Sequence, residues 1–148
     1  METKRLCEVC ANVTGMSGAG LMLMSDDVPR GPVCSSNKVS AIVEQLEYDL
    51  GEGPCLDAYR QDRPVLEPDL AEPATPSWPA FTGPAVEAGV RAVFAFPLQV
   101  GAVRLGALNL LHIEPGEMRQ ADIDVAHNII NGGLAVSALD HLTSAKPS

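Results

Sequence analysis

The 148-residue sequence predicts an α/β fold of the α+β kind, with helices on both faces of a central antiparallel sheet. About five or six strands are expected in that sheet. Three observations carry the prediction. Two strongly apolar runs, Ala92 to Val100 and Val103 to Leu111, are joined only by Gly101-Ala102, and glycine at the first turn position suits a two-residue hairpin loop. Segments beginning near Thr3, Val39 and Gln120 place apolar residues at helical spacing. The length matches one domain, because either half alone would have too little apolar area to bury. A single domain over residues 1–148 is therefore expected, with its core at about 3–142 and a polar, disordered tail at 143–148.

Thr3 to Thr14 reads as a helix stopped at Gly15, where a glycine can take the left-handed cap conformation. Ser17 to Gly20 is a small-residue loop, and Gly20 to Ser25 a short apolar strand. A polar turn from Asp26 to Pro32 leads to a hairpin partner at Val33 to Ser36. Val39, Ile42, Val43, Leu46 and Leu50 mark a second helix, capped by Ser40 and ended by Gly51. Pro54 suits the first turn of a short helix reaching Arg60, and Pro64-Val65-Leu66 follows as a brief strand.

Five prolines fall between Pro68 and Pro84, but this stretch also holds Trp78 and Phe81, two of the chain's six aromatic residues. It is therefore an ordered loop with a helical turn near those rings, since large aromatic surfaces need an apolar receiver. A short helix ends near Gly89. The hairpin strands that follow are apolar at nearly every position, which places them centrally with both faces covered. Gln120 to Leu142 is one long helix with two apolar stripes, one through Val125, Ile129, Val136 and Leu139 and the other through Ala126, Ile130, Leu134 and Leu142. Gly132-Gly133 within it implies a kink or the close approach of another backbone.

Composition narrows the function classes. Hydrophobic residues make up 46% and charged residues 20%, far from the signature of disorder. The net charge of -9 repels phosphate backbones and anionic lipid, so no direct nucleic-acid or membrane role is expected. No apolar run approaches the roughly 20 residues of a membrane span, and Met1 to Arg5 leads into no signal-like segment, which predicts a cytoplasmic protein. There the four cysteines are expected to stay reduced. Cys7 and Cys10 form a CxxC, yet Cys34, Cys55, His112, His127 and His141 are scattered singly, so no metal site is predicted. Cys10 shares the apolar stripe of Leu6, Val9 and Val13 and reads as a small core residue.

Five runs in order resemble one family: Leu50-Gly51-Glu52-Gly53-Pro54-Cys55-Leu56-Asp57-Ala58; Pro64 to Leu70; Trp78-Pro79-Ala80-Phe81; Ala88 to Leu98; and Arg104 to Leu110. They are similar to GAF domains (a PAS-related fold), and most of all to those that precede an RNA-binding ANTAR domain in bacterial regulatory proteins. No ANTAR domain is expected to follow, since none is read before Ser148. The resemblance implies a small-molecule-sensing or regulatory module in signalling that binds an unidentified small ligand or serves only as a dimerising scaffold. No phosphate loop, paired-carboxylate site or Ser-His-Asp arrangement is read in the sequence, so no catalytic activity is expected. The family holds its ligands between the sheet and the covering loops and helices.

Cys55, Asp57, Trp78, Phe81, Phe94 and Phe96 are the candidate ligand-binding residues. The rings either frame an apolar cavity, with Trp78 and Phe81 covering Phe94 and Phe96, or simply fill the core. Cys55 and Asp57 stand at a helix start, whose free backbone donors favour a thiolate or an anionic ligand; Asp57 could equally satisfy those donors itself. The cofactor stays unassigned. The NKFDE-type pattern of cyclic-nucleotide GAF domains and the Cys-His pair of bilin binders are both missing. Haem would need an axial ligand such as His112 or His127, and a histidine at a strand edge is ordinarily solvated.

The alternative is a GAF-fold enzyme resembling the free methionine-(R)-sulfoxide reductases. Cys55 in Gly-Glu-Gly-Pro-Cys fits that family, but no cysteine occurs in the loop from Pro76 to Gly83, where the family has another. Excess apolar surface on the two terminal helices predicts a homodimer joined through them.

Overall fold

A computed structural model describes residues 3–73 and 76–131. Among the described residues, five helices and five strands follow in chain order: α1 (Thr3–Thr14), β1 (Gly18–Ser25), β2 (Val28–Ser35), α2 (Lys38–Leu50), α3 (Pro54–Gln61), β3 (Val65–Glu67), α4 (Thr82–Glu87), β4 (Ala92–Val100), β5 (Val103–His112) and α5 (Gln120–Asn131). The strands form one sheet in the order β2-β1-β5-β4-β3, antiparallel throughout. The predicted C-terminal stripes beyond Asn131, with Gly132-Gly133 and the tail, lie outside the described residues.

The central β4–β5 hairpin forms where the two apolar runs predict it, with Gly101 at a φ of 59° in the turn. The first hairpin is longer than expected. Its turn is only Asp26-Asp27, both in the left-handed region at φ 54° and 63°, as a two-residue hairpin with the native twist requires. Pro29, Gly31 and Pro32 belong to β2 rather than to a turn, because β2 is an edge strand where a residue without an N–H leaves no ladder bond unmade. Two register shifts in β1–β2 absorb the misfit.

The cap of α2 also differs from expectation. Asn37 accepts from the Ser40 backbone N–H at 2.9 Å while the Ser40 hydroxyl accepts from the Asn37 N–H at 3.0 Å, so Ser40 is the inner half of a capping box.

The sheet separates two cores. On one face α1 and α5 pack over Ala19, Leu21, Leu23, Phe94, Phe96, Leu108 and Leu110. The other face carries α2, α3 and α4 in two apolar clusters, one around Met22, Leu56, Tyr59 and Ala107, the other around Val43, Leu70, Trp78, Phe81 and Val93.

Cys7 of α1 is disulfide-bonded to Cys34 of β2, with 6.2 Å between their Cα atoms. This corrects the expectation of four reduced, scattered thiols. The partners lie 27 residues apart and meet only because α1 lies across β1 and β2, a juxtaposition no local spacing encodes. Cys10 is a buried free thiol in the same core, as its stripe predicts.

Candidate functional site

Between the two clusters of the α2–α3–α4 face lies a polar centre. Asn109 stands mid-strand in β5, and its ladder partners are Gly20 on β1 and Ala95 on β4, so small neighbours leave space above it. Two carboxylates of α2 fill that space. The Asn109 Nδ2 donates to Glu44 Oε2 at 2.7 Å and to Glu47 Oε2 at 2.5 Å, and all three residues are at most 1% exposed. A Cβ on Gly20 would collide with the Glu44 side chain, and one on Gly53 with that of Glu47.

The start of α3 completes the centre. Its N-cap, Gly53, has no side chain to bond the free N–H groups, and Glu47 Oε1 accepts from the Cys55 N–H at 2.9 Å instead. Burial drives the Glu44 carboxyl up to about 8, with the Asn109 bond opposing it. Glu47 is raised too, first by burial and then by the Glu44 charge, against the bonds from Asn109, Cys55 and Leu56.

Cys55 is fully buried, and its thiol donates to the Ala107 carbonyl at 3.4 Å. Burial first, then the Glu47 and Glu44 charges, push that thiol well above its usual range. The expectation of a thiolate at the helix start is thus reversed: the nearest charges are the carboxylates that cap the helix, and a dry site disfavours the ion.

Asp57 faces outward from the same helix, and its Oδ2 accepts from Trp78 Nε1 at 2.9 Å. The two edge a cleft of about 650 Å³ that runs along α3, β3 and the proline-rich loop. Its charged lining is Asp57, Arg63, Glu67, Asp69 and Glu72, four acids to one base, with Val65 and Leu66 as apolar floor. Glu52 Oε2 pins the loop by accepting from the Ala80 N–H at 2.7 Å and the Phe81 N–H at 3.0 Å.

The six candidates therefore separate into groups. Asp57 and Trp78 meet directly, and Phe81 lies edge-on to Trp78 with ring centroids 6.2 Å apart. Cys55 is near them in chain but sealed against the sheet. Phe94 and Phe96 point to the opposite face, into the α1–α5 core, where Phe96 meets His127 edge-on at 5.3 Å. The idea that Trp78 and Phe81 cover Phe94 and Phe96 fails on strand alternation, because even-numbered β4 residues face away from the loop. His112 Nδ1 accepts from the Glu114 N–H. Among the described residues no group of three or more acidic, His or Cys side chains could hold a metal ion.

The GAF domain family model matches residues 3–133. The chain belongs to the GAF domain family. Solved structures repeat the GAF architecture at low identity. A domain of a putative two-component sensor histidine kinase from Sinorhizobium meliloti 1021 superposes with a TM-score of 0.71 at 14% identity, covering 92% of this chain and 87% of that one. The type II free methionine-R-sulfoxide reductase of Thermoplasma acidophilum gives 0.71 at 12%, covering 93% and 89%. The blue-light absorbing form of the Thermosynechococcus elongatus PixJ GAF domain gives 0.67 at 17%, covering 95% and 85%. No curated protein matches the chain. The GAF scaffold is thus shared by sensors and by an enzyme, and the choice between them rests on the chemistry of the residues above.

Proposed function

We propose that this GAF domain is a regulatory module of signalling that binds a small molecule and has no catalytic activity of its own. The observation that carries this reading is the state of Cys55. It is the thiol in the reductase-like motif, yet it is sealed, held protonated and without a second thiol on its face of the sheet; Cys7, Cys10 and Cys34 all lie in the core of the other face. A thiol-based reductase needs an accessible, ionisable cysteine and a resolving partner.

The cleft beside Asp57 and Trp78 is the ligand site that this reading favours. Its acidic lining opposes nucleotide phosphates and suits a neutral or cationic molecule of modest size. The resemblance to GAF domains that precede ANTAR domains supports a regulatory role in bacterial signalling, and among the described residues no helix is long and apolar enough to cross a membrane. Pairing of two chains through the terminal helices belongs to the same reading. On α1, Val9 is 46% and Val13 50% exposed, an apolar pair that a second helix would cover.

Two measurements test the proposal. Incubation with free methionine-(R)-sulfoxide and a thiol reductant should give no turnover; steady consumption abolished by Cys55→Ser would replace the sensory reading with the enzymatic one. A thermal-shift screen should find stabilisation by small neutral or cationic compounds that Trp78→Ala removes, whereas stabilisation by a cyclic nucleotide would contradict the assigned cleft.

A further inference from the structure

The buried acids of α2 answer to nothing in the sensory reading. Two carboxylates share one amide, and two further acceptors in the same centre, Glu44 Oε1 and Asn109 Oδ1, are buried with no hydrogen-bond partner. Three acidic or amide side chains at most 1% exposed thus converge with more acceptors than donors and, among the described residues, no cation to balance them. The one counter-ion that needs no extra volume is a hydrogen ion.

We propose that the Glu44–Glu47–Asn109 centre is a proton-binding site, occupied at neutral pH and emptied in alkali, whose loss loosens α2 and the start of α3 from the sheet. Hydrogen bonding makes the two acids unequal. Glu47 accepts from Asn109 and from the backbone of Cys55 and Leu56, three donors that favour an anion, whereas Glu44 accepts from Asn109 alone. Glu47 is therefore the better-solvated anion, yet the Glu44 charge also raises it, so the two acids share one proton and titrate as a pair. The other titratable group facing them is the Cys55 thiol of α3. From the sheet come Gly20, Ala95 and Asn109, which do not titrate, and Arg104 is held over the Tyr59 ring at 4.5 Å.

Removing the proton places two like charges side by side in a dry interior, where neither can be hydrated without displacing α2. The Glu44 carboxyl rises in the folded state from 4.5 to about 8, so its stabilising effect is complete below 4.5 and is lost as pH climbs through 8. Within that window each pH unit lowers the folding equilibrium constant by up to about tenfold for one retained proton.

Infrared spectroscopy of the intact chain decides the matter. A carbonyl band from a protonated carboxyl should be present at neutral pH, shift in heavy water and vanish as pH passes about 8. Glu44→Gln, which mimics the neutral acid, should remove the band and flatten the decline of unfolding stability with pH. The absence of the band from the wild-type protein at neutral pH would overturn the proposal, and that measurement stands even if the variant fails to fold. A folded Glu44→Gln protein that keeps both the band and the slope would overturn it equally.

Discussion

A methyl group at position 106 has nowhere to go: an ideal Cβ on Gly106 would overlap the backbone carbonyl oxygen of Met22 on the adjoining strand. Backbone cannot step aside as a side chain can, so Gly106→Ala should lower stability by about 1–3 kcal/mol, read as a shift in urea midpoint at unchanged slope. Trp78→Phe keeps most of the ring but deletes the donor to Asp57, and a loss of about 1 kcal/mol is expected from the same measurement. The polar centre was only partly visible at this scale. Asn109 interrupts an apolar run, and Ser40, Val43, Glu44 and Glu47 have the same i, i+3, i+4, i+7 spacing as the apolar set on α2. The helix buries the first set and leaves Ile42 40% and Leu50 43% exposed. Hydrophobicity marked only part of the buried side: Val43 is in the core and Val39 and Leu46 pack against it, but nothing in α2 alone announces the glycines at 20 and 53 that make room for its carboxylates.

At the scale of elements, the start of α2 depends on one side chain. Asn37 caps the helix through Oδ1 and also donates from Nδ2 to the Ser17 carbonyl at 2.7 Å, tying the helix to the entry of β1. Asn37→Ala should cost about 1–2 kcal/mol, near the upper end for a lost cap, and Asn37→Asp, which keeps the acceptor and drops the donor, should recover part of it in thermal unfolding. Helix and strand identities were readable here because their signals lie in contiguous residues: α1 and α2 stand where the spacing puts them, α3 starts at the Pro54 that suits a first turn, and the β4–β5 hairpin turns at Gly101-Ala102. The β2 strand was not. Its prolines speak against a strand unless its place at the sheet edge is known, and sheet order is decided by pairings far apart in sequence. The same ignorance placed Phe94 and Phe96 with Trp78, since alternation tells which residues share a face but not which face the loop will cover.

For the molecule as a whole, the Cys7–Cys34 bond joins the first helix to the far edge of the sheet across 27 residues. Closing a loop of that length restricts the unfolded chain by about 3.5 kcal/mol in the chain-entropy account. Cys34→Ser, or full reduction of the wild type, should therefore lower unfolding stability by about that amount, and an unchanged midpoint after thiol quantitation would show that the bond adds no stability in solution. Sedimentation at micromolar concentration tests the pairing of two chains proposed above. Val9→Asp together with Val13→Asp should give a monomer without loss of fold, because both side chains already face solvent in the single chain.

The sheet's two margins carry a further consequence. One is β2, with prolines at 29 and 32 and two register shifts; the other is β3, three residues long. A margin that lacks donors or length is a poor template for a foreign strand, so growth of the sheet from chain to chain, the route to fibrous aggregates, is blocked at both ends. An expressed chain carrying Pro29→Val and Pro32→Val should regain the missing donors, and with them a tendency to bind amyloid dyes on prolonged incubation that the wild type lacks.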